Sequence, residues 1–288
     1  MKRLTIFTSL YNSEKKVKNL YQSLCRQSIK DFVWLTVDDG STDSTKEVIK
    51  EYINEGEIDI IYVYQKNGGK HRAMNRAMQI SDTELFVTID HDDYFVSDAV
   101  ETILKVWDNT KSEKNLIGMV GYRGKSEIET MHGERFADRD YCQFRELLSN
   151  NCNFDTTVIF RTDMAKVFSY PEIEGENWTV EAYLFRLIDY SGFIFKKIEK
   201  PLIICEYLPT GLTMSGKFNY PKGLLCYYEM IVNNEERWRE RVEARSKCIA
   251  LSRITEEKVQ VTFNFLENLI AFILSPIPYH HYMKIMKR

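Results

Sequence analysis

Three carboxylates fall within four residues at Asp90-His91-Asp92-Asp93, directly behind the apolar run at 85–89. Carboxylates this close repel one another unless a cation or a donor compensates them. At the end of a strand they make a hard oxygen cluster suited to Mg²⁺ or Mn²⁺ shared with a diphosphate. The alternative is an acidic turn that caps the next helix, with Asp98 in its first turn. A second cluster is Val37-Asp38-Asp39-Gly40-Ser41-Thr42-Asp43. A carboxylate just past a buried strand can accept a base N–H or ribose hydroxyls, and the same letters can also be a plain strand–turn–helix cap. A third is Asn67-Gly68-Gly69-Lys70-His71, where Gly69 and its neighbour let backbone approach a ligand and Lys70 would stand near phosphate. A simple glycine turn explains that segment equally well.

Each cluster needs an element to hold it. Apolar runs at 4–8, 32–37, 58–63, 85–89 and 116–122 read as strands. Between them, apolar residues at helical spacing (Val17, Leu20, Tyr21, Leu24; Val48, Ile49, Tyr52, Ile53; residues 73–80; Val100, Ile103, Leu104, Trp107) read as helices, the first capped by Ser13. Alternation with short connections predicts an α/β domain with a mostly parallel sheet and right-handed crossovers. Ligands of such sheets bind beyond the carboxyl ends of the strands. Four consecutive strand ends, at 8–12, 38–43, 65–71 and 90–93, are polar and would converge on one edge. Further on, 156–160, 193–198 and 202–207 read as strands and 180–188 as a helix, and from Tyr220 the chain is mainly helical.

Together the segments 8–12, 37–43, 67–75 and 88–93 resemble family 2 glycosyltransferases of the GT-A fold. Residues 171–181 resemble that family's acidic acceptor-side motif, and the resemblance covers about 1–215. It implies a GT-A domain over 1–215, a Rossmann-like mixed, mostly parallel sheet flanked by helices, and a helical C-terminal extension over 216–288. It also implies that Thr8 and Tyr11 line the nucleoside pocket and that Asp39 holds the base. Asp92 would be a metal ligand, Asp90 would stand nearer the ribose, and Asp93 extends the cluster. Glu181 matches the position of the general base. The family often has two adjacent acids here, whereas this chain has Val180 and Ala182 around Glu181, which leaves Glu176 and Glu174 as rivals. The turn-rich segment 207–217 is either a loop closing over the donor, with Lys217 meeting the diphosphate, or a plain surface loop.

These roles predict an inverting, metal-dependent transferase. A carboxylate deprotonates the acceptor hydroxyl, and Mn²⁺ or Mg²⁺ neutralises the departing diphosphate of a nucleotide-diphospho-sugar, by expectation a UDP-sugar. The acceptor would be a glycan or a lipid-linked glycan in polysaccharide biosynthesis. A sugar-nucleotide- or glycan-binding module that has lost its base is the first alternative. A nucleotidyltransferase ranks lower, because 8–12 carries neither Gly nor Arg for a triphosphate loop.

Composition narrows the field further. The chain has 288 residues, 44% hydrophobic and 28% charged, so it can bury a core and is neither disordered nor a disulfide knot. A balance of 39 basic against 42 acidic residues gives no electrostatic case for nucleic acid. None of the six cysteines forms C-x-x-C, so they read as reduced thiols of an intracellular protein. The N-terminus is not a signal peptide, and a cytoplasmic location is expected. The apolar segment 259–277 is interrupted by Asn264, Glu267 and Asn268, closed by Pro276 and Pro278, and followed by aromatics and cations. A carboxylate at its middle disfavours spanning a bilayer. The segment covers the core, forms a homodimer contact, or meets the inner face of the membrane peripherally.

Overall fold

A computed structural model describes residues 1–131, 139–148, 156–205, 220–261 and 264–286. The chain forms two compact units. The first, Met1–Ser169 with Gly192–Tyr207, is the α/β body. The second joins Tyr170–Ser191 to Leu208–Arg288, so the units do not follow a single cut in the sequence.

The first unit opens with β1 (Leu4–Leu10), α1 (Val17–Cys25), β2 (Phe32–Asp39), α2 (Thr45–Glu55), β3 (Ile60–Gln65), α3 (Lys70–Ile80) and β4 (Leu85–Thr88). It continues through β5 (Tyr94–Phe95), α4 (Ala99–Thr110), β6 (Leu116–Gly124), β7 (Tyr141–Cys142), α5 (Phe144–Leu148), β8 (Thr156–Arg161), α6 (Thr162–Ala165) and β9 (Ile194–Ile204). The sheet order is β3-β2-β1-β4-β8-β6-β9-β5, with β7 also on β9. The strands β3, β2, β1 and β4 pair in parallel, as do β6 and β9, while β8 runs antiparallel to both β4 and β6.

Helices on both faces explain why the central strands read as continuous apolar runs. β1 is buried on both sides, with Leu4, Ile6 and Phe7 inaccessible or nearly so. Val17, Leu20, Tyr21 and Leu24 of α1, and Val100, Ile103, Leu104 and Trp107 of α4, supply the facing stripes. Each such side chain contributes roughly 1.5–3 kcal/mol on leaving water. Ser13 does not cap α1 with its side chain. Its hydroxyl accepts the Tyr11 N–H, while its carbonyl receives the Lys16 and Val17 amides.

Two readings of the second half change. Segments 193–198 and 202–207 are not two strands: β9 runs unbroken through Pro201, and Tyr207 lies outside the described residues. Proline lacks a ladder donor, so the register against β6 slips there rather than ending. The two-residue strands β5 and β7 carry no local signature, because both exist through pairing with β9.

β6 packs tightly against β8. A Cβ on Gly118 would stand 1.9 Å from the carbonyl oxygen of Ile159. Backbone cannot yield at a central strand, so Gly118→Ala is expected to cost about 3 kcal/mol or more through forced strand separation. Thermal unfolding checks this, with a drop in Tm of ten degrees or so for a unit of this size.

The second unit is helical: α7 (Ala182–Tyr190), α8 (Pro221–Asn234), α9 (Trp238–Thr255), α10 (Phe265–Leu274) and α11 (Pro276–Met286). Leu225, Met230, Ile231, Cys248, Leu251 and Tyr282 belong to its core. Glu235, almost fully buried, ties α7 to the start of α9 by accepting from Tyr190 and Arg237. Burial raises its pKa, but these donors outweigh it and hold the carboxyl at about 2. Pro276 does not end the helical region. It opens α11, where its missing N–H is not needed. Among the described residues no helix is long and apolar enough to cross a membrane. The described cysteines Cys25, Cys142, Cys205, Cys226 and Cys248 are free thiols.

Candidate active site

The chain turns from β1 to β2 and β3 on one side and returns to β4 on the other, so β1/β4 is a topological switch point. The loops after β1, β2 and β3 are cross-linked there. Asn12 accepts from the Thr42 amide at 2.8 Å, and the Asn12 amide donates to Ser41 at 3.0 Å. Asn67 donates through Nδ2 to the Asp39 carbonyl at 2.9 Å.

The two acids at the end of β2 have different partners. Asp38 accepts from the Ser41 amide at 2.8 Å and the Tyr62 hydroxyl at 2.6 Å, which fixes the turn. Asp39 accepts the Gly68 amide at 2.9 Å and Gln65 at 2.7 Å on Oδ1, and the Gly69 amide at 2.7 Å on Oδ2. Gly69 holds φ at 94°, a conformation that aims its N–H at Asp39 and that side chains with Cβ avoid. A carboxylate has about four lone-pair positions, so Oδ2 retains acceptor capacity toward a ligand.

After β4 the carboxylates meet two cations. Lys70 Nζ lies 2.5 Å from Asp90 Oδ1. Arg123, from the end of β6, places Nη1 2.9 Å from Asp93 Oδ2 and 3.6 Å from Asp90 Oδ2. Burial works against the Asp90 charge, but Lys70 and Arg123 overcome it and hold the carboxyl well below the usual range. Asp93 goes the other way: burial, against the pull of Arg123 and with the push of Asp90, raises it to about 6. Burial also lowers His91, so that imidazole is neutral near pH 7. Cys205, 3.7 Å from Arg123, is pushed up to about 12 by burial and stays a thiol.

Among the described residues no three His, Cys, Asp or Glu side chains already form a metal cage. Two carboxylates with the remaining positions left to phosphate oxygens and water is the common arrangement for Mg²⁺. Asp90 and Asp92 fit that set, since Asp92 is partly exposed and no ion pair ties it to another described residue.

The other candidate positions divide plainly. Thr8 is fully buried, and its hydroxyl accepts the Trp34 indole N–H at 3.1 Å, so its side chain supports β1 from within. Tyr11 is half exposed at the strand end. In the second unit Glu181 is exposed at the N-terminus of α7, its carbonyl accepting from the Tyr170 hydroxyl at 3.2 Å. Glu176 is buried and caps α8: Oε1 accepts the Lys222 amide at 2.9 Å and Oε2 the Gly223 amide at 2.7 Å. Lys217 lies outside the described residues. Sequence reasoning missed Arg123. A lone cation closing an apolar strand was the one available signal, and it names no partner until β6 takes its place in the sheet.

A mixed, mostly parallel sheet with a polar switch point and an Asp cluster after its fourth strand defines a GT-A type fold. The chain belongs to glycosyl transferase family 2, whose sequence profile matches residues 5–168. It is 27% identical over 192 residues to the poly(ribitol-phosphate) beta-N-acetylglucosaminyltransferase TarS of Staphylococcus aureus, covering 64% of this chain and 33% of that protein. It is 28% identical over 210 residues to a poly(ribitol-phosphate) beta-glucosyltransferase of Bacillus spizizenii, covering 71% of this chain and 31% of that one. The chain thus spans about a third of the length of these curated relatives. Among solved structures it resembles S. aureus TarS in complex with UDP-GlcNAc, with a TM-score of 0.61, 16% identity, and 99% and 91% of the two chains covered. It also resembles the mannosyltransferase PcManGT of Pyrobaculum calidifontis in complex with GDP-Man and Mn²⁺, with a TM-score of 0.56, 14% identity, and 99% and 83% covered.

Proposed function

We propose that this chain is an inverting glycosyltransferase that moves a sugar from a UDP-sugar to a glycan or lipid-linked glycan of a surface polysaccharide. The observation that carries this reading is the strand-end assembly in a family 2 chain, where Asp39 grips the Gly68–Gly69 turn and Lys70 and Arg123 flank Asp90. Relatives named as poly(ribitol-phosphate) transferases support the acceptor class. The transferase part is 1–215, and 216–288 extends it.

Within this reading Tyr11 borders the nucleoside, and Asp39, through the remaining capacity of Oδ2, accepts the base N–H. Asp90 and Asp92 would hold a divalent cation, which when bound supplies counter-charge for the departing diphosphate. Lys70 is then placed to exchange its Asp90 partner for a phosphate oxygen, adding a donor as charge builds on the leaving group. Glu181 takes the acceptor hydroxyl proton as that oxygen attacks the anomeric carbon, and the sugar–phosphate bond breaks in the same displacement. Glu176 is already committed to two backbone amides, which favours Glu181 as the base. Lys217 is proposed as a further diphosphate contact.

Incubation of the full chain with UDP-GlcNAc, UDP-glucose and GDP-mannose, with release of nucleoside diphosphate as readout, tests the reading. Slow hydrolysis of a UDP-sugar above the blank is expected. Release from none of the three, with no UDP binding, contradicts it.

A further inference from the structure

Asp93 is a buried carboxylate that the reaction above does not use. It closes the turn that starts at Asp90, its amide donating to the Asp90 carbonyl at 3.2 Å. The chain then continues as β5, where Tyr94 and Phe95 pair with Ile204 and Ile203 of β9. On the other side of β9, Arg123 of β6 stands in register with the same Ile203. Strand pairing in one sheet therefore sets both ends of an Arg123–Asp93 pair. Arg123 donates through Nη1 to Asp93 Oδ2 at 2.9 Å, and the Cys205 thiol hydrogen-bonds the same carboxylate. The Asp93 side chain is 9% exposed, against 36% for Asp90, and Asp92 is partly exposed. Of three close acids, one is turned inward onto a strand-borne cation and two stay open. That answers the repulsion such a cluster would otherwise carry.

The same Nη1 lies 3.6 Å from Asp90 Oδ2, too far for a hydrogen bond. Asp90 already carries Lys70 on its other oxygen. An arginine bonded directly to Asp90 Oδ2 would take an oxygen that a metal needs and repel the ion as well. Asp93 offers Nη1 the nearer partner. Without the Asp93 charge, Asp90 is a charged acceptor within a small movement of that N–H, and a metal would then compete with two cations for one carboxylate. We propose that Asp93 is a positioning residue for metal binding and not a metal ligand: it holds Arg123 away from Asp90, so that Asp90 and Asp92 stay open to the divalent cation of the donor complex. This role rests on the transferase reading, because it concerns the same acidic loop.

Binding of Mn²⁺ in the presence of UDP, followed by electron paramagnetic resonance on the full chain, tests it. Asp93→Asn should weaken Mn²⁺ binding by about 10- to 100-fold, the usual worth of a group that orients a metal ligand from behind. Adding Arg123→Gln to that variant should recover most of the loss, because the cation that moved onto Asp90 is gone. Water proton relaxation reads the water held by the bound ion. It should be unchanged in Asp93→Asn, whereas Asp92→Asn should gain a water where a carboxylate was lost. Asp93→Ala with Arg123→Met removes both charges together and leaves no buried ion unpaired, so it keeps the test open where a single variant folds poorly. That pair should bind Mn²⁺ close to the wild-type affinity. Double variants as weak as Asp93→Asn, or a water gained on the metal in Asp93→Asn, overturn the proposal and make Asp93 a ligand. A lowered Tm in Asp93→Asn with unchanged Mn²⁺ affinity also overturns it and leaves Asp93 a purely structural residue. A wild type that binds neither Mn²⁺ nor UDP contradicts the transferase reading itself, and the role of Asp93 falls with it.

Discussion

Glu181→Gln is expected to lower sugar transfer by about 10²–10⁴-fold, the usual worth of a positioned general base. UDP-sugar affinity should stay near the wild-type value, because the substitution removes a proton acceptor and not a donor contact. Glu176→Gln separates the two acids. Its carboxylate holds the Lys222 and Gly223 amides at the first turn of α8, where N–H groups have no acceptor within the helix. Losing the charge there should cost about 1–2 kcal/mol of stability, read as a lowered Tm, with transfer per folded molecule largely kept. Stopped transfer assays on both variants, corrected for folded fraction, check the pair. Full activity in Glu181→Gln with loss in Glu176→Gln would reverse the assignment.

Asp92→Asn should lower transfer by about 10²–10³-fold, because stabilising the charge on a leaving diphosphate is worth several kcal/mol. Chelation of divalent ions should reduce the wild type by a similar factor and the variant by little, since the two changes remove one unit of function. Asp90→Asn is a different case. It also releases Lys70 and part of the Arg123 field from a shared partner, so loss of activity there would not isolate metal binding. Asp92, with no such partner among the described residues, gives the cleaner reading.

Much of the first unit was legible because its signals are local. An apolar run followed by a polar cluster specifies both a parallel strand and the loop at its end, and four such pairs in order place the loops together. What depended on distant pairing was hidden. Arg123 acquires meaning only when β6 enters the sheet beside β8 and β9. Thr8 shares its strand end with exposed neighbours, yet burial by Trp34 turns it into a supporting residue. Glu176 sits in an acidic run that looks solvated, and its role comes from a helix that begins 45 positions later at Pro221. In the C-terminal segment Asn264, Glu267 and Asn268 read in sequence as interruptions of an apolar helix. Asn264 caps α10 instead, and Glu267 and Asn268 lie on its inward side with buried Ala271, bonded to Arg241 and Arg245. Periodicity alone cannot say which face of such a helix meets the protein.

The loops after β1 to β4 are proposed to hold a nucleoside diphosphate through Asp39, Lys70, Asp90 and Asp92. Calorimetric titration of UDP into the full chain tests it most directly, with and without Mn²⁺, on the wild type and on Asp92→Asn. The expected result is binding that requires Mn²⁺ and weakens about tenfold or more in the variant, a loss of one charged ligand contact. Binding that is indifferent to both the metal and the substitution, or no binding under any condition, would contradict it.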